Sequence, residues 1–281
     1  MSLDQWDDLD SENTVNAIVE AIRVSGHEGE FLEGDITLFD TIRKYKPDLC
    51  FNICEGHFGD AREAQAPAIL EMLRIPYTGS KVLTLALTLD KPMTKRVLTY
   101  HDLPTPPFQV FEDPDAERYI EGREVTVGLI GNLKPPAARR IPEDEDSPRI
   151  QACLMFLPPL EVDLIPFQNR DVVYSNRLKV DLADQLNYSC PAPLDEDIVQ
   201  ELNWYTAAVF RETGALDVAR VDFRLDQNEY WKPYILEINP LPGLSPGVSD
   251  LVIEAAALGI SHTELVNMIL TTTMRRYGML A

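Results

Sequence analysis

The polar residues with the clearest chemical potential lie in the segment 218–225 of the 281-residue chain. Arg220, Asp222 and Arg224 alternate there with apolar residues, so in a β-strand these three side chains share one face. The apolar residues between them would take the opposite face and enter the core. The pattern therefore predicts a strand that holds charged groups in place over a packed interior.

A second polar pair, Glu237 and Asn239, alternates in the same way a few residues later. A hairpin would bring Asp222 next to this pair. Two carboxylates about 4 Å apart repel each other by roughly 4 kcal/mol at an effective dielectric constant near 20. Since magnesium binds carboxylate and carbonyl oxygens, the hairpin predicts a metal site. Spacing alone leaves a second interpretation open, a solvated charged face with cross-strand ion pairs such as Arg220 with Glu237.

The rest of the chain predicts an α/β fold that would carry this hairpin. Apolar spacing and capping residues predict eight helices. They are expected near 15–22, 36–45, 64–73, 82–89, 93–100, 251–258 and 263–277, and between Asp195 and Gly214.

Strands are expected at 49–54 and 75–77, so the first ninety residues predict an open α/β unit with a mostly parallel sheet. Residues 125–129 alternate between apolar and small or polar types, as in a half-buried antiparallel strand. Residues 134–149 are rich in Pro, Arg, Glu and Asp and predict a mobile surface loop.

Composition argues against several classes of protein. Lys and Arg total 25 against 46 Asp and Glu, so the formal charge of −21 disfavours nucleic-acid and membrane-surface partners. We expect no membrane span and no signal peptide, because the apolar runs are short and the start of the chain is neither basic nor apolar. The four scattered cysteines fit reduced thiols, so a cytoplasmic location is expected.

Several segments resemble the D-alanine–D-alanine ligases of the ATP-grasp superfamily. In chain order they are EMLRIPYTGS, LTLDK, LPTPPF, EGREVTVG, YSCPAPL, ALDVARVDFRLD and KPYILEINPLPGLSPG. No single segment is specific, but together they keep the family's order over most of the chain. The resemblance implies an N-terminal α/β domain over residues 1–90 and an ATP-grasp domain with mixed or antiparallel sheets over residues 91–281.

The resemblance also implies roles for the hairpin. Asp222, Glu237 and Asn239 match the magnesium ligands of the family, and manganese is a possible substitute. Arg220 and the backbone of Gly243 match the groups that stabilise the oxyanion of a tetrahedral intermediate. The implied reaction transfers a phosphoryl group from ATP to a carboxylate, and an amine then attacks the acyl phosphate.

Further residues match the nucleotide and substrate contacts of the family. Those that match ATP contacts are Lys91 and Lys179 for the phosphates, Glu117, Arg118 and Ile120 for adenine, and Glu124 for the ribose hydroxyls. His57 matches a histidine near the first amino acid. The resemblance implies small amino-acid substrates and a homodimer.

The chain departs from the family at its lid. Where the family has several dozen residues, including a loop that closes over the phosphates, only residues 112–116 separate Phe111 from Glu117. The N-terminal strand with its glycine-rich loop is missing as well. The central lid lobe, around 108–120, is therefore truncated or missing from the chain. Either the natural chain carries further segments here, or the protein works with a reduced lid.

Two substrate-facing motifs also differ. Val180 replaces a family tyrosine after Lys179, and SPGVSDL after Gly243 departs from the usual carboxylate-binding serine pattern. Two alternatives to a D-alanine–D-alanine ligase therefore stay open. One is an ATP-grasp ligase of another dipeptide or depsipeptide specificity, and the other is a lidless nucleotide-binding homologue without turnover.

Overall fold

A computed structural model describes residues 11–109, 116–117, 120–133, 154–163 and 187–280 of the chain. It has an α/β fold in which helices cover a central antiparallel sheet. Residues 1–10 and the loop expected at 134–149 lie outside these residues. In the described part of the chain, none of the helices combines the length and hydropathy that a membrane span requires.

The described residues form eight strands, six of them in sequence between helices α5 (Lys91–Tyr100) and α6 (Glu196–Thr213) and two between α6 and α7 (Asp250–Ala257). The strands are β1 (Phe108–Gln109), β2 (Ala116–Glu117), β3 (Gly122–Gly131), β4 (Leu154–Phe156), β5 (Leu160–Asp163), β6 (Asn187–Ser189), β7 (Asp217–Asp226) and β8 (Lys232–Asn239). The first two form a separate antiparallel pair. The central sheet has the order β6-β5-β3-β7-β8, and β4 also pairs with β3. All its pairings are antiparallel.

The predicted helices are confirmed with small shifts at their ends. They are α1 (Glu12–Val24), α2 (Leu38–Tyr45), α3 (Gln65–Leu73), α4 (Val82–Leu89), α5 (Lys91–Tyr100), α6 (Glu196–Thr213), α7 (Asp250–Ala257) and α8 (His262–Arg276). Helix α6 ends as expected at Gly214, whose φ of +70° suits a residue without a side chain. Asp195 precedes that helix, but its side chain makes no capping hydrogen bond.

Strand β3 is buried on both faces, so the expectation of a half-buried strand was wrong. Val125, Val127 and Leu129 are fully buried in a core that includes residues of α5 and α6. On the other face, Ile130 belongs to a second core formed with α1, α7 and α8. Because helices cover both faces, the polar side chain of Thr126 is buried as well. In β3 the alternation of apolar and polar residues therefore does not mean that the polar face is exposed to solvent.

The N-terminal unit contains less sheet than expected. Within the described residues, its predicted parallel sheet is reduced to one bridge, between Cys50 and Tyr77. Tyr77 is buried in a small core to which α2 and α3 contribute. Helix packing, rather than a ladder of strand hydrogen bonds, therefore organises this part of the described chain.

Candidate active site

The hairpin of β7 and β8 brings the predicted metal ligands together. Asp222 lies opposite Glu237 in the register, and Arg220 lies opposite Asn239. A register irregularity after Asp222 places Phe223 opposite Ile235. Phe223 and Ile235 are both fully buried, as the predicted core face requires. Arg220, Asp222 and Arg224 therefore share the opposite face.

The Arg220 guanidinium is held by two acids. Its Nε and Nη2 each lie 2.7 Å from an oxygen of Asp222. Its Nη1 lies 3.1 Å from Oδ2 of Asp250, a residue of α7. Burial alone would lower the pKa of Arg220, but the charges of Asp222 and Asp250 outweigh this effect and raise it above the usual value. Arg220 therefore stays charged although its side chain is only 10% exposed.

Glu237 forms an ion pair with Lys91. Lys91 is the first residue of α5, and its Nζ lies 2.7 Å from Oε2 of Glu237. The side chain of Asp90 caps that helix by accepting a hydrogen bond from the backbone N–H of Met93. The capped helix end thus places a predicted phosphate-binding lysine beside a predicted metal ligand. The short ion pairs of Arg220 are with Asp222 and Asp250, while Glu237 acts on its guanidinium through charge.

The donor set suits a hard divalent cation. Asp222 and Glu237 contribute carboxylates, and Asn239 contributes an amide oxygen that also accepts a hydrogen bond from the backbone N–H of Leu241. Each carboxylate is paired with a cationic side chain, Asp222 with Arg220 and Glu237 with Lys91, and a metal would compete with that cation. Among the described residues, no group of three or more His, Cys, Asp or Glu side chains could hold a metal ion. The predicted set is of another kind, because its third donor is an amide.

Gly243 lies in a loop where a side chain would crowd that of Ser249. A Cβ atom at this position would come within 2.9 Å of Oγ of Ser249. That Oγ accepts a hydrogen bond of 2.9 Å from the backbone N–H of Ser245. The carbonyl of Leu244 lies 2.9 Å from Nε2 of His262 at the start of α8. These contacts support the loop around Gly243, whose backbone the resemblance assigns to the oxyanion.

The residues assigned to adenine and ribose are only partly described. Glu124 is buried and forms an ion pair with Arg224, its neighbour on β7. A ribose would therefore have to share this carboxylate with Arg224. Ile120 is buried, and the backbone of Glu117 pairs with β1. The role of each stays a prediction.

Three other assignments also stay predictions. Arg118 and Lys179 lie outside the described residues. His57 is half-buried in the loop after the Cys50 bridge, with its ring 6.2 Å from that of Phe58.

Two acids on α7 were missed by the sequence reasoning. Asp250 binds Arg220, and Glu254, one turn later, accepts hydrogen bonds from Oγ1 of Thr126 and from the backbone N–H of Gly128. Burial raises the pKa of Glu254 to about 8, although the bond from Thr126 opposes this shift. The available signal was a pair of acids at helical spacing in an otherwise apolar helix.

The fold matches solved structures of one kind of enzyme. The crystal structure of a D-alanine–D-alanine ligase from Bacillus anthracis, complexed with ATP, has a TM-score of 0.68 and 19% sequence identity, and the match covers 100% of this chain and 96% of that one. A D-alanine–D-alanine ligase structure from Coxiella burnetii has a TM-score of 0.60 and 18% identity, over 83% of this chain and 69% of that one. The chain therefore has the ATP-grasp fold.

Sequence comparison identifies the family within this class. Residues 162–271 match the model of the D-Ala–D-Ala ligase C-terminus. A D-alanine–D-alanine ligase from Syntrophotalea carbinolica is 30% identical over 92% of this chain and 90% of its own length. The chain belongs to the D-alanine–D-alanine ligase family.

A further relative differs from this chain in length. An uncharacterised protein of Sinorhizobium fredii is 29% identical, over 93% of this chain and 88% of its own length. This alignment spans 318 positions, more than the 281 residues of the chain, so the relative carries segments without a counterpart here. The expectation that this sequence is shorter than its family is consistent with that difference.

Proposed function

We propose that the protein is an ATP-dependent ligase that joins a carboxylic acid to an amine through an acyl phosphate, with ATP and magnesium as cofactors. Manganese is the alternative metal. The proposal rests on the charged hairpin of this chain, a member of the D-alanine–D-alanine ligase family. On this hairpin the Arg220 guanidinium donates a hydrogen bond to Asp222, which lies opposite Glu237.

Each site residue has a defined task in this proposal. A divalent metal bound by Asp222, Glu237 and Asn239 would supply positive charge to the phosphates. Lys91 would exchange its partner Glu237 for a phosphate oxygen, and Lys179 would bind a second one. The Arg220 guanidinium and the backbone N–H of Gly243 would donate hydrogen bonds to the oxyanion that forms as the amine attacks.

We propose small amino acids as the substrates. Besides two D-alanines, the second candidate is a pair in which the acceptor is a different amino acid or a hydroxy acid. Val180 cannot donate the hydrogen bond of a tyrosine, and Pro246 stiffens the loop after Gly243. Val248 in that loop is 61% exposed, which makes its surface more apolar. These features favour an acceptor that is bulkier or less polar than D-alanine, such as a different amino acid or a hydroxy acid. We propose further that the protein acts as a homodimer in the cytoplasm.

The acyl phosphate can be tested with an acid substrate labelled with ¹⁸O in its carboxylate. A carboxylate oxygen that attacks the γ-phosphorus of ATP leaves with phosphate when the amine attacks the carbonyl carbon. One ¹⁸O atom per phosphate is therefore expected in the released phosphate, measured by mass spectrometry. Amide product formed together with unlabelled phosphate would contradict the proposed route.

A further inference from the structure

Asp222 has two partners in the proposed reaction, because it binds Arg220 in the structure and is a proposed ligand of the metal. We propose that Asp250 is a positioning residue for this chemistry: it keeps the Arg220 guanidinium in place when a divalent metal engages Asp222. This inference rests on the proposed function. With Asp250 in this role, Asp222 can bind a metal while the Arg220 guanidinium stays in place.

The competition at Asp222 follows from charge. Metal and guanidinium are both cations, so a metal on Asp222 weakens the hold of that carboxylate on Arg220 and repels the guanidinium. A second anion, with its own bond to Arg220, would keep the guanidinium from moving away. The task requires an acid that contacts Arg220 through atoms that Asp222 does not use.

Asp250 meets this requirement. Asp222 contacts Nε and Nη2 of Arg220, whereas Asp250 contacts Nη1. The two ion pairs therefore use different N–H groups of one planar fork, and the bond to Asp250 can persist when Asp222 changes partner. The Asp250 side chain is only 1% exposed, so water screens this pair little.

Helix α7 packs close enough to β3 for Asp250 to contact Arg220. A Cβ at Gly128, the cross-strand neighbour of Arg220, would lie 2.3 Å from Oε2 of Glu254 and 2.5 Å from Cδ1 of Leu251. Only a glycine on β3 therefore lets α7 approach this closely. Glu254 then ties the helix to β3 through the backbone N–H of Gly128. Asp250 is also the first residue of the helix, where the helix dipole favours a negative charge.

The test compares two nearly isosteric variants of α7. Asp250→Asn removes the charge that faces Arg220, and Glu254→Gln, one turn along the helix, removes an equally buried acid that contacts β3 instead. At saturating magnesium we expect Asp250→Asn to lower kcat at least tenfold with the KM for ATP changed less than threefold. Glu254→Gln should keep kcat within twofold, because the amide oxygen can still accept from the backbone N–H of Gly128 and the amide nitrogen can donate to Oγ1 of Thr126, so α7 stays anchored. A folded Asp250→Asn protein with wild-type kcat would overturn the proposal.

A second readout needs no turnover. Calorimetry measures manganese binding in the presence of a non-hydrolysable ATP analogue. Asp250→Asn should weaken manganese binding severalfold, because Arg220 then depends more strongly on Asp222, from which the metal must displace it. In an Arg220→Met background no guanidinium competes for Asp222, so the same change should alter the affinity less than twofold.

These outcomes separate the two proposals. An equal loss of manganese affinity in both backgrounds would mean that Asp250 acts only through its charge at a distance, and the positioning role would fail. A wild-type protein without phosphate release would defeat the proposed ligase activity, while the manganese measurements would still decide the link from Asp250 to Asp222. If Asp250→Asn does not fold, Asp250→Ser, which leaves room for water beside the guanidinium, serves in both experiments.

Discussion

Nζ of Lys91 lies 2.7 Å from Oε2 of Glu237, so a lysine assigned to the nucleotide phosphates neutralises a carboxylate assigned to the metal. The two assignments are therefore coupled. A metal that binds Glu237 releases Lys91 for a phosphate, and a nucleotide that attracts Lys91 frees Glu237 for a metal. Each ligand should thus favour the binding of the other.

This coupling predicts opposite effects for Lys91→Ala. The affinity for manganese alone should rise, by up to about fivefold, because an exposed ion pair contributes up to about 1 kcal/mol. The affinity for ATP should fall, since a positive charge is removed from the phosphates. Calorimetry with each ligand measures both effects, and Lys81→Ala is the control, an exposed lysine just before α4. Unchanged metal and nucleotide affinities would contradict the coupling. Lys179→Ala should weaken ATP binding only.

Changing Glu237 to Gln should abolish metal-dependent phosphate release. The amide cannot supply the negative charge that a divalent metal needs, yet it keeps the shape of a side chain that is 32% exposed. The thermal unfolding temperature should therefore change little. The measurement is phosphate release as a function of magnesium concentration. Wild-type activity at the wild-type magnesium requirement would remove Glu237 from the metal site.

Asp217 should be a major determinant of stability. This fully buried carboxylate accepts hydrogen bonds from the backbone N–H of Gly79, from Thr273 and from both Nε and Nη2 of Arg276. It thereby links the N-terminal unit to β7 and α8. Asp217→Asn leaves Arg276 without a counter-charge and should reduce the free energy of unfolding by about 3–5 kcal/mol.

Chemical denaturation measures this loss. Asp40→Asn is the matched control, because Asp40 is exposed and forms only a long ion pair with Arg43 at the surface. A loss below about 1 kcal/mol for Asp217→Asn would show that the link contributes little.

Glu254 should make stability depend on pH. Its pKa is about 8 in the folded protein and near 4.5 when unfolded, so the folded state holds a proton that the unfolded state releases between these values. Its contribution to stability is complete below pH 4.5 and falls by about 1.4 kcal/mol per pH unit as the pH rises toward 8. Arg220, Asp250 and Thr126 are the neighbours that share in setting this pKa.

Glu254→Gln removes this titration. Urea unfolding from pH 5 to pH 9 should show the variant gaining stability relative to the wild type up to about pH 8, after which the difference becomes constant. A difference that does not change with pH would mean that Glu254 is ionised in the folded protein throughout.

The sequence predicted the features that depend on local periodicity. The helices and the hairpin follow from apolar spacing, and the shared face of Arg220 and Asp222 follows from alternation. The partners of Arg220 could not be predicted in this way. Its contact with Asp250 depends on how α7 packs against β3, which Gly128 permits and which no pattern within one element reveals. The buried polar face of β3 was missed for the same reason.

The central claim is that the protein couples ATP cleavage to the activation of a carboxylate. Phosphate release by the full-length protein, with ATP, magnesium and a panel of paired amino and hydroxy acids, tests it most directly. We predict release that requires both magnesium and an acid, with at least one productive pair other than two D-alanines. A clear preference for two D-alanines would contradict the specificity argument alone. Binding of ATP and magnesium without phosphate release for any pair would contradict the claim itself and identify a non-catalytic nucleotide-binding protein.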